Sequence, residues 1–271
     1  MKNIFCNIFL PLFFVFFLSP PFIFSQDKNS NAKQVPDSFE IHKVLILPFN
    51  PKMYNSDADK EILEESMLLF PQLLSRFRSG IGVAVRQRMP GWWESRLLSD
   101  EEDTARDLKV IYASLVYNYE LLDEKSSGAK NASPKKDESK EDKKIVKGQL
   151  KVEQDQRPKF MNIKIKNDTL MRYLSEKYGA DNFLFLNQLD ISNDLSDYVA
   201  NANKTYSRVV KVHYTILNKK GKQFFSGIAT SKFSAKTNDP QVIINKNFME
   251  AAKGVVSHLP PPVAAKRVKR N

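Results

Sequence analysis

Cysteine is almost missing from this chain, since Cys6 is the only one among 271 residues. It lies in the apolar segment near the amino terminus. The rest of the chain therefore has no thiol nucleophile, no disulfide partner and no cysteine for a lipid anchor. Histidine is also scarce: His42, His213 and His258 lie far apart. None of them has a second histidine or a cysteine at metal-ligand spacing, so the sequence predicts no metal site.

Motifs that accompany catalysis are missing as well. Gly80–Gly82 lacks the third glycine and the lysine of a phosphate-binding loop, and no Gly-x-Ser-x-Gly motif occurs. The acidic run Asp100–Asp103 fits a helix start, where the helix dipole favours acids and Ser99 and Glu102 make a capping box. The sequence therefore predicts no catalytic residue and no cofactor. The alternative is an enzyme whose site the sequence does not reveal.

The amino terminus has the layout of a secretory signal peptide. Lys2 precedes an apolar run of about 15 residues, Pro20 ends that run, and Ser25 is a small residue suited to cleavage. We predict that residues 1–25 are removed and that the mature protein is periplasmic or otherwise exported. The alternative is a retained anchor over Ile4–Phe24, but its interrupting prolines argue against a membrane span.

Positive charge dominates the chain, whose formal net charge is +11. Such a surplus attracts polyanions. Because the protein is predicted to be exported, we expect no nucleic acid partner. An envelope protein or an anionic envelope polymer is expected instead, with peripheral membrane contact at most. The other explanation is that the charge only keeps the protein soluble. Four basic residues of the tail, at residues 260–271, are candidate binding residues: Lys266, Arg267, Lys269 and Arg270.

Composition divides the rest of the chain into four parts. Residues 26–40 are polar and lack periodicity, which predicts a flexible lead. Residues 41–259 alternate strand and helix patterns, which predicts a single α/β domain: a mixed sheet with helices packed on it. Within it, residues 123–147 contain eight lysines, six acids and no aromatic residue, which predicts a disordered insert. The basic tail follows at residues 260–271.

Periodic patterns predict the elements of the first half. His42–Phe49 is a continuous apolar run, typical of a strand buried on both faces. Apolar residues over Leu63–Phe77 predict a helix that is kinked by Pro71 and ends at Gly80. The alternation that follows, over residues 81–85, predicts a short strand. A further helix is predicted from Ser99, with a buried stripe of five residues: Leu108, Ile111, Leu115, Tyr119 and Leu122.

The second half shows similar signals. A short helix is predicted to end at Gly179, and Phe183–Leu186 is predicted to be a buried strand. Alternating residues around His213 predict a half-exposed strand with that histidine in solvent, followed by a glycine turn and a partner strand. Asp239 with Pro240 predicts the start of a last helix.

The order of these elements resembles that of a bacterial envelope group. The segments that carry the resemblance are KVLILPFN, YLSEKYGADNFLFLNQLDI and VVKVHYTILNKKGKQFFSG. The group contains the amino-terminal domain of the TolB translocation protein, the curli secretion channel lipoproteins and the outer-membrane activators of penicillin-binding proteins. The resemblance covers residues 42–86 and 168–259. It implies a mixed sheet with helices packed on it and a scaffolding role, and it transfers no functional residue.

Trp92 and Trp93 lie in the stretch outside that resemblance, directly after the predicted turn Pro90-Gly91. Neighbouring side chains of an extended segment alternate faces, so one tryptophan can fill the core while the other is exposed. We therefore predict a partner-binding surface at this corner; the alternative is that both tryptophans are core. The overall interpretation is a non-enzymatic envelope accessory protein that binds another envelope component. The alternative is a cationic protein that binds cell-wall or outer-membrane polyanion.

Overall fold

The computed structural model describes residues 42–122, 144–146, 149–151, 158–167, 169–203 and 205–261. The predicted signal peptide and flexible lead lie outside the described residues. So do all but three residues of the predicted insert, and the tail from residue 262 onward, which includes its four basic candidates.

The chain forms ten strands, seven α-helices and one short 3-10 helix (Pro51–Met53) in its described parts. The strands are β1 (His42–Leu47), β2 (Tyr54–Ser56), β3 (Trp93–Leu97), β4 (Leu115–Leu121), β5 (Lys144–Val146), β6 (Gln149–Lys151), β7 (Lys159–Ile165), β8 (Asn182–Asp194), β9 (Ser207–Asn218) and β10 (Gln223–Ser234). The helices are α1 (Asp59–Ser66), α2 (Phe70–Arg88), α3 (Glu102–Ala113), α4 (Thr169–Tyr178), α5 (Tyr198–Ala202), α6 (Pro240–Val242) and α7 (Met249–Val256). A π-helical segment, Ile243–Phe248, joins α6 to α7.

The main sheet has six strands and mixed pairing. Its order is β10-β9-β8-β1-β3, and β2 pairs with the far end of β8. Strands β3, β1 and β8 run parallel, as do β2 and β8, whereas β8, β9 and β10 pair antiparallel. The predicted fold class, a mixed sheet with helices packed on it, is confirmed.

Both faces of the sheet are covered, which explains the continuous apolar sequence of β1. Val44 and Ile46 point into a core with α2, the π-helical segment and α7. Leu45 and Leu47 point into a second core on the other face, against α3 and α4. All four side chains are at most 1% exposed. Alternate residues of a strand face opposite sides, so a strand between two layers must be apolar throughout.

A second, two-stranded sheet completes the layer on the α3 and α4 side. Strands β4 and β7 pair antiparallel, with Leu115 opposite Ile165. Leu115 and Ile163 belong to the core that this layer shares with the main sheet. Strands β5 and β6 form a separate hairpin. Its first strand, Lys144–Val146, falls at the end of the predicted insert, whose other residues lie outside the described part of the chain.

Several local predictions are confirmed. Gly179 ends α4 with a φ of 64°, and Gly221 turns the β9–β10 hairpin with a φ of 73°. Glycine adopts this left-handed conformation without the steric cost that a Cβ brings. Asp239 caps α6 by accepting hydrogen bonds from the backbone amides of Gln241 and Val242.

The prediction for residues 59–88 is wrong in its boundaries. The chain forms two helices instead of one kinked helix, because Met67 adopts a left-handed conformation and ends α1. Pro71 lies in the first turn of α2, where the missing amide costs nothing. Helix α2 continues through Gly80 to Arg88, so the strand predicted over residues 81–85 does not exist.

Close packing explains why glycine occurs inside α2. A Cβ on Gly80 would lie 2.9 Å from Cδ1 of Ile244 in the π-helical segment. A Cβ on Gly82 would lie 2.8 Å from Cδ1 of Leu97 on β3. The two glycines let neighbouring elements approach the helix, and the sequence pattern alone does not distinguish this role from a helix end.

The predicted stripe after Leu108 is also wrong in part. Helix α3 ends at Ala113, and Leu115 and Tyr119 belong to strand β4 instead. The helix begins at Glu102 with Glu101 as its N-cap, so Ser99 does not cap it. Pairing with β7, whose residues lie 38 to 50 positions further along the chain than their partners, selects the strand for Leu115–Leu121.

Candidate functional site

The Trp92 corner, which we define as Pro90–Trp92, links the end of α2 to the start of β3. The amide of Trp93 donates to the carbonyl of Pro90 at 2.9 Å, which closes a turn. Trp92 is 41% exposed, whereas Trp93 is 6% exposed. The two neighbouring side chains therefore differ in burial, as predicted, because Trp92 lies in the turn and Trp93 is the first residue of β3.

Trp93 anchors the corner to the core. It belongs to the core between the sheet and α2. Its ring lies 5.4 Å from the ring of His42, its register partner on β1. A buried indole restricts the backbone of the residue next to it. The exposed side chain of Trp92 therefore extends from a backbone that is held in place by Trp93.

Strand β3 lies at one edge of the main sheet. It pairs with β1, and no second strand pairs with it in the described part of the chain. Glu94 on this strand forms an ion pair with Lys43 at 3.5 Å. The Arg96 guanidinium lies 4.8 Å from the ring centroid of Tyr178. An open edge next to an exposed tryptophan offers backbone donors and acceptors to a partner strand.

Positive charge lies next to the same corner. Arg86 and Arg88 occupy the last turn of α2 and are exposed. Basic residues there interact favourably with the helix dipole. They also place two positive charges beside the Trp92 corner.

The crevice at the carboxyl ends of β1 and β3 is filled by the protein itself. The connections after these strands run to opposite faces of the sheet, and open α/β sheets bind ligands at such crevices. Here Arg78 donates from Nε to the Phe49 carbonyl and from Nη2 to the Tyr112 hydroxyl, each at 2.6 Å. It also forms an ion pair with Asp100. Arg78 is 3% exposed, so it closes this crevice.

A partly buried polar cluster around Asp190 was missed by the sequence analysis. Asp190 on β8 accepts hydrogen bonds from Asn55 on β2 at 2.9 Å and from Gln188 at 2.7 Å. Its other oxygen lies 2.9 Å from Nε2 of His213 on β9. Tyr119 on β4 contacts Gln188 at 3.1 Å. The cluster thus joins the main sheet to the β4–β7 sheet.

The prediction that His213 is a solvated strand residue is wrong. Its side chain is 3% exposed, because the β4–β7 sheet covers that face of β9. The amide of Met161 on β7 donates to Nδ1 at 2.8 Å. Nδ1 is therefore an acceptor without a proton, so Nε2 carries the proton and donates to Asp190. Both ring nitrogens are engaged, and neither is free to act on a bound molecule.

A small open cavity of about 240 Å³ lies beside this cluster. Asn55, Tyr119, Gln188, Asp190 and Lys211 are among its lining residues. This volume is below the 300–1,000 Å³ that is usual for small-molecule sites.

Hydrogen bonding controls the ionisation of Asp190. Burial opposes its charge, but hydrogen bonds from His213, Asn55 and Gln188 outweigh burial and hold its pKa below the usual value. A carboxyl with a lowered folded-state pKa stabilises the fold above the unfolded pKa of about 3.9, and this contribution is lost as pH falls through the folded value.

We therefore predict that the protein loses stability progressively as pH falls below about 5, and that Asp190→Asn makes this loss smaller. Urea unfolding at several pH values, followed by circular dichroism, measures it. An equal loss in the variant and in the unchanged protein would mean that other carboxyl groups cause the acid sensitivity.

Among the residues that the structure describes, no group of three or more metal-binding side chains is arranged around a common point. No helix in these same ranges is both long enough and apolar enough to cross a membrane. Neither a protein-family model nor a curated protein nor a solved structure matches this chain. The resemblance to the TolB-containing envelope group therefore stays a prediction.

Proposed function

We propose that this protein is a non-enzymatic accessory protein of the bacterial envelope, exported after signal-peptide cleavage, that binds another envelope component. One observation carries the proposal: Trp92 is 41% exposed on a turn whose next residue, Trp93, is anchored in the core. Tryptophan is enriched at binding hot spots because one side chain buries a large area. A rigid aromatic side chain also loses little conformational freedom on binding.

The surroundings of the Trp92 corner support a protein partner. The open edge of β3 can add a strand from a partner, and main-chain hydrogen bonds then contribute affinity. Arg86 and Arg88 border the corner, so a partner with acidic side chains fits its charge. An acidic polymer shares that charge but cannot use the strand edge.

Two further observations support binding over catalysis. Arg78 fills the crevice in which sheets of this kind commonly hold substrates. His213 uses both ring nitrogens within the fold, so it lacks a free base position. A general base must reach the proton that it removes, which requires a free nitrogen or oxygen.

The test uses the full mature protein as bait in envelope extracts, with bound proteins identified after crosslinking. We predict that Trp92→Ala weakens capture of the partner about 30-fold, as expected for a hot-spot residue, and leaves thermal stability nearly unchanged. Phe224→Ala is the matched control, because Phe224 is 49% exposed on β10, at the opposite edge of the sheet. It should capture the partner normally.

Unchanged capture by the Trp92→Ala variant would contradict the proposal. Salt-sensitive co-sedimentation with isolated cell wall, equal for both variants, would instead favour the polyanion-binding alternative, because counterion effects depend on charge and not on one indole.

A further inference from the structure

A second exposed apolar surface lies at the opposite end of α2. Met67, Leu69 and Phe70, which we call the apolar knuckle, connect α1 to α2. They are 87%, 69% and 46% exposed. Single exposed apolar residues are common on protein surfaces, but adjacent ones in such numbers mark interaction sites.

The backbone of the knuckle is ordered by specific contacts. The Met67 amide donates to the Leu63 carbonyl at 3.0 Å, and the Leu69 amide donates to Oε1 of Gln72 at 2.9 Å. The ring of Phe70 lies 6.3 Å from that of Tyr54 on β2. The apolar side chains are therefore held outward by the fold.

The backbone conformation of Met67 is energetically unfavourable for any residue that has a Cβ. Its φ is 57°, and it is the one non-glycine residue with a positive φ among those that the structure describes. Glycine adopts this conformation without the clash that a Cβ causes. An exposed methionine contributes little to the core, so stability does not explain why this side chain occurs here.

Negative charge predominates on α1, the helix that precedes the knuckle, in contrast to the charge of the whole chain. Helix α1 carries Asp59, Glu61, Glu64 and Glu65 against Lys60, whereas the chain has a formal net charge of +11. Glu61 lies 3.8 Å from the Arg208 guanidinium. Glu65 accepts a hydrogen bond from Asn238, and Glu64 is exposed.

We infer that the apolar knuckle docks onto a basic amphipathic helix of a partner protein. The apolar face of such a helix would receive Met67, Leu69 and Phe70, and its lysines or arginines would face Glu64 and Glu65. Complementary charge favours this occupant over an anionic membrane, which repels the acids of α1.

The 19 residues of α2 separate the knuckle from the Trp92 corner by about 28 Å. The two surfaces can therefore bind different molecules.

The probes are two synthetic helical peptides, one of leucine and lysine and one of leucine and glutamate, whose binding to the full mature protein is followed by fluorescence anisotropy. We expect the lysine peptide to bind in spite of the positive net charge of the protein, and the glutamate peptide to bind far more weakly. Leu69→Ser and the double variant Glu64→Lys with Glu65→Lys should each weaken binding at least about 10-fold. Val110→Ser, at an exposed valine of α3, is the control.

The Met67→Gly variant distinguishes a contribution of Met67 to peptide binding from a contribution to the stability of the fold. Glycine removes the left-handed strain, so the melting temperature should rise by about 2–4 °C. Binding of the lysine peptide should nevertheless fall, because a contact residue is lost.

Several results would overturn the inference: equal binding of both peptides, unchanged binding by Leu69→Ser, or a preference for anionic lipid vesicles over the lysine peptide. Concentration-dependent dimers that Leu69→Ser abolishes would assign the knuckle to a second copy of this chain instead.

Discussion

The Trp93→Ala variant should lose about 3–5 kcal/mol of unfolding free energy. Trp93 is 6% exposed within the core between the sheet and α2, and its removal leaves a cavity next to His42. Rigid cores relax only partly around such a cavity, so both the transfer energy and the packing of the neighbours are lost.

Urea unfolding followed by circular dichroism measures this loss, with Trp93→Phe and Trp92→Ala as comparisons. Phenylalanine should recover much of the stability because it refills part of the space. Trp92→Ala should change stability by less than about 0.5–1 kcal/mol, as is usual for exposed positions. If both alanine variants were equally destabilised, the corner would be core and the binding surface would lie elsewhere.

The His213→Leu variant should lose about 2–3 kcal/mol. Leucine removes the acceptor of the Met161 amide and one of the donors to Asp190, and leaves buried polar groups unpaired. Because Met161 lies on β7, the β4–β7 sheet should also loosen from the main sheet. Amide hydrogen exchange should therefore accelerate over Lys159–Ile165 more than over β1.

Asparagine and glutamine at position 213 distinguish the contribution of the hydrogen bond from the Met161 amide from that of the hydrogen bond to Asp190. The Oδ1 of asparagine can replace Nδ1 as the acceptor for Met161, whereas the side-chain amide of glutamine can replace Nε2 as the donor to Asp190. We expect His213→Asn to retain protection of β7 better than His213→Gln. Unchanged exchange in all three variants would show that apolar contacts alone hold the small sheet.

Local sequence signals predicted the elements whose causes are local. The glycine turns at Gly179 and Gly221 and the cap at Asp239 depend on the conformational preferences of one to three residues. The buried strand β1 was predictable because a strand covered on both faces must be apolar throughout. These features follow from backbone sterics and strand periodicity, which a single sequence displays.

The wrong predictions concern segments whose secondary structure is set by contacts with residues that are distant in the sequence. The sequence predicts a helix end at Gly80 and a strand around Gly82, but both glycines lie inside α2, where Ile244 and Leu97 approach them closely. Leu115 and Tyr119 fit a helical stripe, but pairing with β7 makes them part of a strand. In each case, the deciding neighbour is more than ten residues away in sequence, so no short window contains the signal.

The candidate sites also differ in how much of them the sequence could predict. The pair Trp92 and Trp93 could be predicted to differ in exposure, because neighbouring residues of an extended segment alternate. Which of them is buried was decided by the face of β3 that packs on α2. The apolar knuckle was missed because Met67 and Phe70 fit the apolar face of one continuous helix, whereas the left-handed conformation of Met67 ends α1 there.

The sequence by itself determined the class of fold, the order of most elements, the positions of the glycine turns and a basic chain with no cysteine beyond Cys6. The tertiary structure decided the environment of His213. Alternation along β9 placed this histidine on the face opposite the apolar residues, which is correct, but a strand pattern cannot show what covers that face. The cover comes from β4 and β7, which flank the charged insert, and burial then required partners for both imidazole nitrogens.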